Sequence, residues 1–415
     1  MRYVEPSPVS GLVRAPHSKS VFQRAVAAAC LAPGTSRLLA RDLCRDDLAA
    51  LGLASGLGAQ VTQAPGAVEI RGGGRPSGER ISCGESGLSL RLFSALASLF
   101  EKEIVLAGSG SLTRRPVGMV VAPLRELGAA CTTAGGFPPV TVRGPIHGGR
   151  VTVDASTSSQ FLTGLLLALP CCRSDSEVSA PGLKSRPYVE LTLNLLRQFG
   201  IEVDAAPDLE FFRISGGQEY RPVELEVEGD WSGGAFLLVA GALGGPLEVA
   251  GLDPASVQAD RAVLDALTAA GAELEITPAA IRVAPGSPRA FAFDATDCPD
   301  LFPPLTVLAL ALPGRSRIRG VSRLRHKESD RAAALVEEFS RIGSRIEVED
   351  DMMYVTGGRV SGGQADARGD HRIAMALALA ALRAEHPVGI SGAESVSKSY
   401  PGFFADLEKM GAKVR

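Results

Sequence analysis

Two kinds of hydrophobic pattern alternate along this chain and predict two kinds of element. The longest continuous apolar runs, residues 161–170 and 302–312, are far shorter than the roughly 20 residues that a membrane-spanning helix needs. Alternation of apolar and polar residues, as in 141–143 and 273–276, predicts the strands of hairpins. The pattern therefore predicts a folded chain of helices and strands without a membrane span.

A glycine recurs at a nearly constant spacing between the two patterns. The six positions are Gly58, Gly128, Gly200, Gly271, Gly343 and Gly411, so that by subtraction the steps are 70, 72, 71, 72 and 68 residues. Each glycine follows a helix-like segment and precedes a strand-like one, where it can adopt the left-handed conformation that ends a helix. Coincidental Leu-Gly-Ala turns are the alternative, and the regular step disfavours them. The spacing predicts six repeats that end in helix, glycine and hairpin.

The sixth repeat lacks its closing strand, because the chain ends four residues after Gly411. The strand-like residues Tyr3 and Val4, at the other end of the chain, are the candidates to pair with Lys413 and Val414. This pairing predicts that both chain ends lie in one domain and that the intervening half forms another. Three repeats per domain would then give two similar lobes crossed by two connections.

Composition and charge exclude several classes of function. Lys and Arg number 43 and Asp and Glu number 46, so the net charge of −3 offers no reason to bind nucleic acid or an anionic membrane. The seven cysteines include no Cys-x-x-Cys pair, which disfavours a zinc site or a redox pair. No apolar signal segment follows Met1. We therefore expect a cytoplasmic protein without a metal, in which most thiols fill the core.

Hydroxyl and cationic residues stand at a series of predicted helix starts. Lys19 and Ser20 precede an apolar helical run that ends near Leu31, and Arg24 lies on the same helical face as Ser20. Such a set suits a phosphate, because the free N–H groups of a helix start favour an anion. A Ser N-cap with solvated basic residues is the simpler interpretation of this set alone.

The other predicted starts are Arg114-Arg115-Pro116, Ser158-Ser159-Gln160, Ser185-Arg186-Pro187-Tyr188, Lys327-Glu328-Ser329-Asp330-Arg331, Asp370-His371-Arg372 and Lys398-Ser399-Tyr400-Pro401. Their number predicts one large anion-lined cleft between the lobes, for a ligand with several negative charges. A basic run at residues 315–327 alternates along a strand-like segment, as a nucleic-acid-binding face would. No aromatic residues interleave with it for base stacking, so we expect no nucleic-acid partner.

Taken in order, these charged segments resemble the 5-enolpyruvylshikimate-3-phosphate synthase family over essentially the whole chain, together with Glu228-Gly229-Asp230. The resemblance implies that family's α/β (α+β) fold, a two-lobed inverse α/β barrel with six βαβαββ repeats, three per lobe. It places residues 13–228 in the N-terminal lobe and residues 1–12 with 229–415 in the C-terminal lobe. The active site is expected in the cleft between them.

The resemblance also implies a reaction. The family transfers the enolpyruvyl (carboxyvinyl) group of phosphoenolpyruvate to the 5-hydroxyl of shikimate 3-phosphate and releases phosphate, on the route to aromatic amino acids and without a metal or other cofactor. This chemistry needs a base on the hydroxyl, an acid at the methylene carbon, and cations that balance phosphate and carboxylate charge. We expect a cytoplasmic monomer whose partners are these two small molecules.

The positions that match the family imply the site residues. Asp300 takes the hydroxyl proton, and Glu328 and Lys19 serve proton transfer at the methylene carbon. The residues implied for shikimate 3-phosphate are Lys19, Ser20, Arg24, Ser158, Ser159, Gln160, Ser185, Tyr188, Asp300, Arg323 and Lys327. Those implied for phosphoenolpyruvate are Lys19, Gly87, Arg115, Gln160, Arg331, Arg372 and Lys398. His371, beside Arg372, is interpreted as structural.

Departures from the family pattern cluster in the loop expected to bind phosphoenolpyruvate. The family usually has Asn-Ala-Gly-Thr-Ala there, whereas this chain has Glu85-Ser86-Gly87-Leu88-Ser89 followed by Leu90-Arg91. A carboxylate at position 85 should repel an anionic donor unless an Arg neutralises it. In addition, His17 replaces a usual Gly, and Arg323 stands where many members have Asn.

The departures leave two alternatives open: a diverged enolpyruvyl transferase with another acceptor or donor, and a non-catalytic anion-binding protein on the same fold. The joint presence of the charged residues Lys19, Asp300, Glu328, Arg372 and Lys398 weighs against a loss of catalysis. The related transferase that acts on UDP-N-acetylglucosamine carries a reactive Cys before its Arg-Pro motif. Residues 107–114 contain no Cys, which disfavours that activity.

Overall fold

The structure is a computed structural model that describes every residue except Thr157 and His326, so the His of the basic run lies outside the described residues. The chain divides into two compact units. The first comprises Met1–Ser18 with Glu228–Arg415, and the second comprises Lys19–Val227. The N-terminal part of the first unit extends to Ser18 and not to residue 12, because Gly11–Arg14 is a strand that pairs with Leu247–Ala250 of the same unit.

The described residues form 24 strands and 12 α-helices, numbered in chain order. The strands are β1 (Arg2–Glu5), β2 (Gly11–Arg14), β3 (Gly34–Leu39), β4 (Gln60–Ala64), β5 (Ala67–Gly72), β6 (Arg80–Ser82), β7 (Ile104–Ala107), β8 (Ala130–Ala134), β9 (Phe137–Arg143), β10 (Gly149–Thr152), β11 (Ser176–Ser179), β12 (Asp204–Ala205), β13 (Phe211–Ile214), β14 (Glu224–Glu226), β15 (Leu247–Ala250), β16 (Glu273–Ile276), β17 (Ala280–Ala284), β18 (Ala292–Asp294), β19 (Arg315–Arg319), β20 (Arg345–Glu349), β21 (Met352–Thr356), β22 (Gly363–Asp366), β23 (Val388–Ser391) and β24 (Lys413–Val414). The helices are α1 (Lys19–Leu31), α2 (Arg45–Gly56), α3 (Gly87–Ala97), α4 (Val121–Glu126), α5 (Gln160–Ala168), α6 (Arg186–Gln198), α7 (Trp231–Gly244), α8 (Val263–Ala270), α9 (Phe302–Leu310), α10 (Arg331–Arg341), α11 (His371–Ala381) and α12 (Phe403–Lys409).

One strand arrangement recurs in the six four-stranded sheets that the described residues form. The first unit contains β2-β15-β17-β16, β18-β19-β21-β20 and β22-β23-β1-β24, and the second contains β14-β3-β5-β4, β6-β7-β9-β8 and β10-β11-β13-β12. In each sheet the first two strands are parallel and the other pairs are antiparallel, as in β10, β11, β13 and β12. The predicted fold of βαβαββ repeats, three in each unit, is thereby confirmed.

The chain passes between the units twice. At each passage, the last strand before the crossing pairs with a strand of the unit that the chain is leaving. β2 precedes α1 along the chain but pairs with β15 in the first unit. Conversely, β14 precedes α7 but pairs with β3 in the second unit. Both of these pairs are parallel, so the exchange keeps the strand order of every repeat.

The two predictions that rest on the repeat period are also confirmed. All six recurring glycines have a positive φ, between +77° at Gly200 and +107° at Gly411. β1 pairs with β24, with Val4 opposite Val414, and it also pairs with β23, so it takes the third place in the last sheet, between these two strands.

The core of each unit is built on the first helix of each repeat. These helices, α1, α3 and α5 in the second unit and α7, α9 and α11 in the first, are buried over nearly their whole length. In the second unit α3 packs against α1 and α5, and in the first unit all three such helices pack against one another. The second helix of a repeat has an exposed face, as in α6 and α10. None of the described helices is long and apolar enough to cross a membrane.

Five of the predicted helix starts are confirmed, since α1, α5, α6, α10 and α11 begin within the predicted segments. The other two are wrong. Arg115 and Pro116 follow a short 3₁₀ turn, Gly110–Arg114, and α4 begins only at Val121, because a proline disfavours helical geometry in the residue before it. Lys398 ends another 3₁₀ turn, and α12 begins only after Gly402.

The repeat glycines predict a stability difference that can be measured. At Gly271, φ is +85° and an added Cβ would overlap the main-chain oxygen of Ser287. We expect Gly271→Ala to lower the free energy of unfolding by about 2 kcal/mol or more. Gly52, inside α2, has no atom within 4 Å of an added Cβ, and Gly52→Ala should raise that free energy by about 0.5–1 kcal/mol. Urea unfolding compares the variants, and equal stability of Gly271→Ala and the parent would contradict the expectation.

Candidate active site

In the second unit, the start of α1 holds an ion pair. Lys19, the first residue of this helix, has its Nζ 2.9 Å from Oδ2 of Asp46 in α2, and the side chains are only 14% and 11% exposed. A mostly buried ion pair restricts an otherwise flexible ammonium group. Asp46 therefore holds the Lys19 charge at the helix start.

Arg24 is the centre of a second cluster, which unites α1 with α6. Its Nε donates to Oγ1 of Thr192 at 3.0 Å, its Nη1 donates to the main-chain oxygen of Ser20 at 2.8 Å, and its Cζ lies 5.8 Å from the centre of the Tyr188 ring. Burial lowers the pKa of Arg24 to about 10, although the neighbouring Tyr188 raises it. The structure thus brings together the predicted residues Ser20, Arg24 and Tyr188.

Ser185 precedes α6 in a backbone conformation that few residues with a side chain adopt. Its φ is +57°, and its main-chain oxygen accepts a hydrogen bond from the N–H of Tyr188 at 3.1 Å. Such strain costs about 1–3 kcal/mol and is concentrated at binding sites. The conformation is therefore a feature typical of a functional position.

A third cluster links the start of α3 to that of α5. Arg91 Nη1 donates to the main-chain oxygen of Gly87 at 3.1 Å and to Oε1 of Gln160 at 3.0 Å, while its Nη2 donates to the main-chain oxygen of Pro116 at 2.5 Å. The guanidinium of Arg115 packs on Gly87 so closely that an added Cβ would be 2.7 Å from its Cζ. Ser158 also contacts this helix start, since its Oγ accepts from the N–H of Gln160 at 3.3 Å, and Ser159 is buried beside it.

In the first unit, Asp300 stands just before α9 among three cations. Its Oδ1 accepts from Lys327 Nζ at 3.2 Å and from Arg331 Nη1 at 2.6 Å, and its Oδ2 accepts from Arg372 Nη2 at 3.0 Å. Burial raises the pKa of the Asp300 carboxyl, but Arg372, Lys327 and Arg331 outweigh it and hold the pKa well below its usual range. Asp300 is therefore ionised at neutral pH and can accept a hydrogen bond from a hydroxyl.

Arg331 connects Asp300 to two further carboxylates. Its Nη2 donates to Glu328 at 2.5 Å, and its Nε donates to Asp370 Oδ2 at 2.8 Å. Burial lowers the pKa of Arg331, but Asp370, Glu328 and Asp300 together raise it. Asp370 also caps α11, because its Oδ1 accepts from the N–H of Arg372 at 2.9 Å. One carboxylate thus orients Arg331 and starts the helix that carries Arg372.

The other predicted cations of the first unit lie close to these groups. Lys398 Nζ donates to the main-chain oxygen of Gly369 at 2.7 Å, next to the cap residue Asp370. Burial lowers the pKa of Lys327 and of Arg323, while Asp300 raises both. His371, the first residue of α11, is 1% exposed.

The first part of the basic run is a central strand of a sheet, since β19 pairs with both β18 and β21. Arg315, Arg317 and Arg319 occupy alternate exposed positions of β19, as the alternation predicts. Arg315 Nη2 lies 2.8 Å from Glu347 Oε2, and its Cζ lies 4.0 Å from the centre of the Tyr354 ring. These contacts explain the run as part of a sheet.

Sequence reasoning missed several polar residues that support the site. They are Asp46, Thr192, Asp260 and Asp370, together with Arg91, which was not predicted to bind either substrate. Asp370 carried a signal, because an Asp directly before an apolar helix is a typical N-cap. Asp46 and Thr192 lie 27 and 168 residues from their partners, so no local pattern could reveal them. The described part of the chain has no group of three or more His, Cys, Asp or Glu side chains placed to hold a metal ion.

Asp260 is a further carboxylate of the first unit that interacts electrostatically with Asp300 and Arg372. It is 1% exposed and accepts a hydrogen bond from Ser232 Oγ at the start of α7. Burial raises its pKa to about 7, with a further rise from Asp300 that Arg372 opposes. The pKa of Asp260 is therefore raised and that of Asp300 is lowered, although both carboxyls start from the same ordinary value.

This raised pKa predicts how stability depends on pH. Between about pH 4 and pH 7 the folded protein keeps a proton on Asp260 that the unfolded chain has lost, so stability falls as pH rises through that range. We expect Asp260→Asn to remove this fall. The free energy of unfolding of the variant, measured in urea relative to that of the parent, should then rise by about 2 kcal/mol from pH 5 to pH 8. The exposed Asp265→Asn is the control, and an advantage of Asp260→Asn that is constant with pH would contradict the expectation.

Comparison with known proteins shows to which family the chain belongs. The family model of EPSP synthase (3-phosphoshikimate 1-carboxyvinyltransferase) matches residues 4–407. The chain is 39% identical to the 3-phosphoshikimate 1-carboxyvinyltransferase of Aeropyrum pernix over 99% of this chain and 96% of that one, and 37% identical to that of Methanocorpusculum labreanum over 99% of both. The structure of EPSP synthase from Acinetobacter baumannii superposes with a TM-score of 0.82 at 26% identity, covering 100% of this chain and 99% of that one. The chain therefore belongs to the EPSP synthase family.

Proposed function

We propose that this protein is a 3-phosphoshikimate 1-carboxyvinyltransferase, which transfers the enolpyruvyl group of phosphoenolpyruvate to the 5-hydroxyl of shikimate 3-phosphate and releases phosphate. The observation that carries the proposal is family membership over residues 4–407, with an ionised Asp300 held among Lys327, Arg331 and Arg372. Curated relatives at 36–39% identity over nearly the full chain carry the same activity in their names. The function is that of a transferase in aromatic biosynthesis.

The acceptor hydroxyl needs a base, and Asp300 supplies it. Its three cationic partners make it a weak base in the unliganded protein, because they favour the ionised form. Substrate phosphate and carboxylate groups that bind these cations draw hydrogen bonds away from Asp300 and thereby raise its pKa. Binding of the anions thus strengthens the base that the reaction requires.

The donor carbon and its methylene group need an acid. Oxygen of the acceptor forms a bond to the central carbon of phosphoenolpyruvate while Glu328 or Lys19 donates a proton to the methylene carbon. The bond to the phosphate oxygen then breaks, phosphate leaves, and the methyl carbon loses a proton, which restores the vinyl group. The net change is one transferred enolpyruvyl group and one free phosphate.

Cations and helix starts hold the substrate charges. In this proposal Ser20, Arg24, Gln160, Ser185 and Tyr188 bind shikimate 3-phosphate, with the remaining predicted residues Lys19, Ser158, Ser159, Asp300, Arg323 and Lys327. Phosphoenolpyruvate is bound by Arg115, Arg331, Arg372 and Lys398, together with Gly87, Gln160 and Lys19. Cations that already lie in place stabilise the developing charge without rearrangement.

The catalytic assignment predicts the effect of removing one carboxylate. Release of phosphate from phosphoenolpyruvate should require shikimate 3-phosphate, and Asp300→Ala should lower kcat by about 10²-fold or more. Asp265→Asn, an exposed carboxylate of the same unit, is the matched control and should leave the rate unchanged. A folded parent protein without acceptor-dependent release would reject the function, whereas undiminished release by Asp300→Ala would reject only the role of this residue.

We further propose that the protein works as a monomer in the cytoplasm, as the sequence predicts. Size-exclusion chromatography with light scattering should give a mass near 43.1 kDa at micromolar concentration. A mass of twice that value would reject the monomer.

A further inference from the structure

The carboxylate of Glu85 forms hydrogen bonds with another segment of the protein. Its Oε2 accepts two hydrogen bonds from Ser111, one from the main-chain N–H and one from Oγ, both at 2.8 Å. Ser111 is the second residue of the 3₁₀ turn Gly110–Arg114, and Ser109 at its N-cap makes no side-chain capping bond. Because the first N–H groups of a helical turn lack partners within the turn, Glu85 supplies the cap from a separate segment.

The contact between the two segments extends beyond this cap. The main-chain N–H of Ser109 donates to the oxygen of Gly84 at 2.8 Å. Gly110 has φ +51°, and an added Cβ there would overlap the Glu85 carboxylate. The turn therefore approaches Glu85 as closely as a glycine permits.

The same turn leads directly to Arg115, whose guanidinium packs back on Gly87. An added Cβ at Gly87 would lie 2.7 Å from both Cζ and Nη1 of Arg115. Residues 84–87 and 109–115 thus contact each other at two points. Glu85 binds the turn, and Arg115 packs on the start of α3. Because Arg115 directly follows the turn, we expect loss of the cap to let both the turn and the Arg115 side chain move.

We propose that Glu85 is a positioning residue for Arg115 and so for the binding of phosphoenolpyruvate, an inference that rests on the proposed function. A carboxylate at this place should repel an anionic donor, but hydrogen bonds from Ser111 stabilise its charge. The departure of this chain from the family pattern is thus matched by a partner in the neighbouring turn. Glu85 acts through Arg115 and contributes hydrogen-bond acceptance.

Steady-state kinetics of phosphate release test the proposal. We expect Glu85→Ala to raise KM for phosphoenolpyruvate about tenfold, with kcat and KM for shikimate 3-phosphate changed by less than about twofold, because a misplaced cation weakens donor binding. Glu85→Gln keeps an oxygen that accepts from Ser111 and should restore KM to within about twofold of the parent. Ser111→Ala loses one of the two donors and should raise KM about threefold.

Controls separate this inference from the function on which it rests. Glu101→Ala removes an exposed carboxylate of the same unit and should leave all three constants unchanged. An unchanged or lowered KM for phosphoenolpyruvate in Glu85→Ala would overturn the inference, as would a Glu85→Gln variant as impaired as Glu85→Ala. If Glu85→Ala does not fold, Glu85→Gln and Ser111→Ala still decide, since equal impairment of donor and acceptor binding in Ser111→Ala would also overturn it. A parent protein without acceptor-dependent release rejects the proposed function itself.

Discussion

Helices that are buried on nearly all sides determine where this protein can place charge. Such a helix offers its polar groups mainly in its N-terminal half, because apolar side chains surround the rest. At the N-terminal end the first N–H groups have no partner within the helix, and they favour an anion. Lys19, Gly87 and Gln160 are the first residues of α1, α3 and α5, and Asp300 and Arg372 stand within two residues of the starts of α9 and α11. Within each unit, the packing that stabilises the core thus also places the predicted site residues at helix starts.

The charges at these helix starts hold each other in position. Burial of an unpaired charge is costly, so a cation beneath the surface needs hydrogen-bond acceptors, among which carboxylates also supply the opposite charge. Arg331 is 1% exposed and donates to Asp300, Glu328 and Asp370. Because Asp370 also caps α11, removal of this one carboxylate would disturb an ion pair and a helix start together. The network gives the cations their geometry before any substrate anion arrives.

The family fold is compatible with extensive sequence change. At 26% identity to the Acinetobacter baumannii enzyme, the fold is kept with a TM-score of 0.82. This chain builds that fold from apolar helices, a glycine of positive φ after the second helix of each repeat, and polar groups at the helix starts. In a loop between these positions, the carboxylate of Glu85 is stable because the two donors of Ser111 face it.

The sequence by itself determined the repeats, the pairing of the N-terminal strand with β24, and five of seven predicted helix starts. These features depend on local geometry: glycine at a positive φ, alternation in strands, and polar residues before an apolar helix. The tertiary structure decided which distant residues become partners, such as Arg24 with Thr192 and Glu85 with Ser111. It also decided the opposite pKa directions of Asp260 and Asp300. Both depend on distances in space between residues far apart in the chain, which no local pattern of residues records.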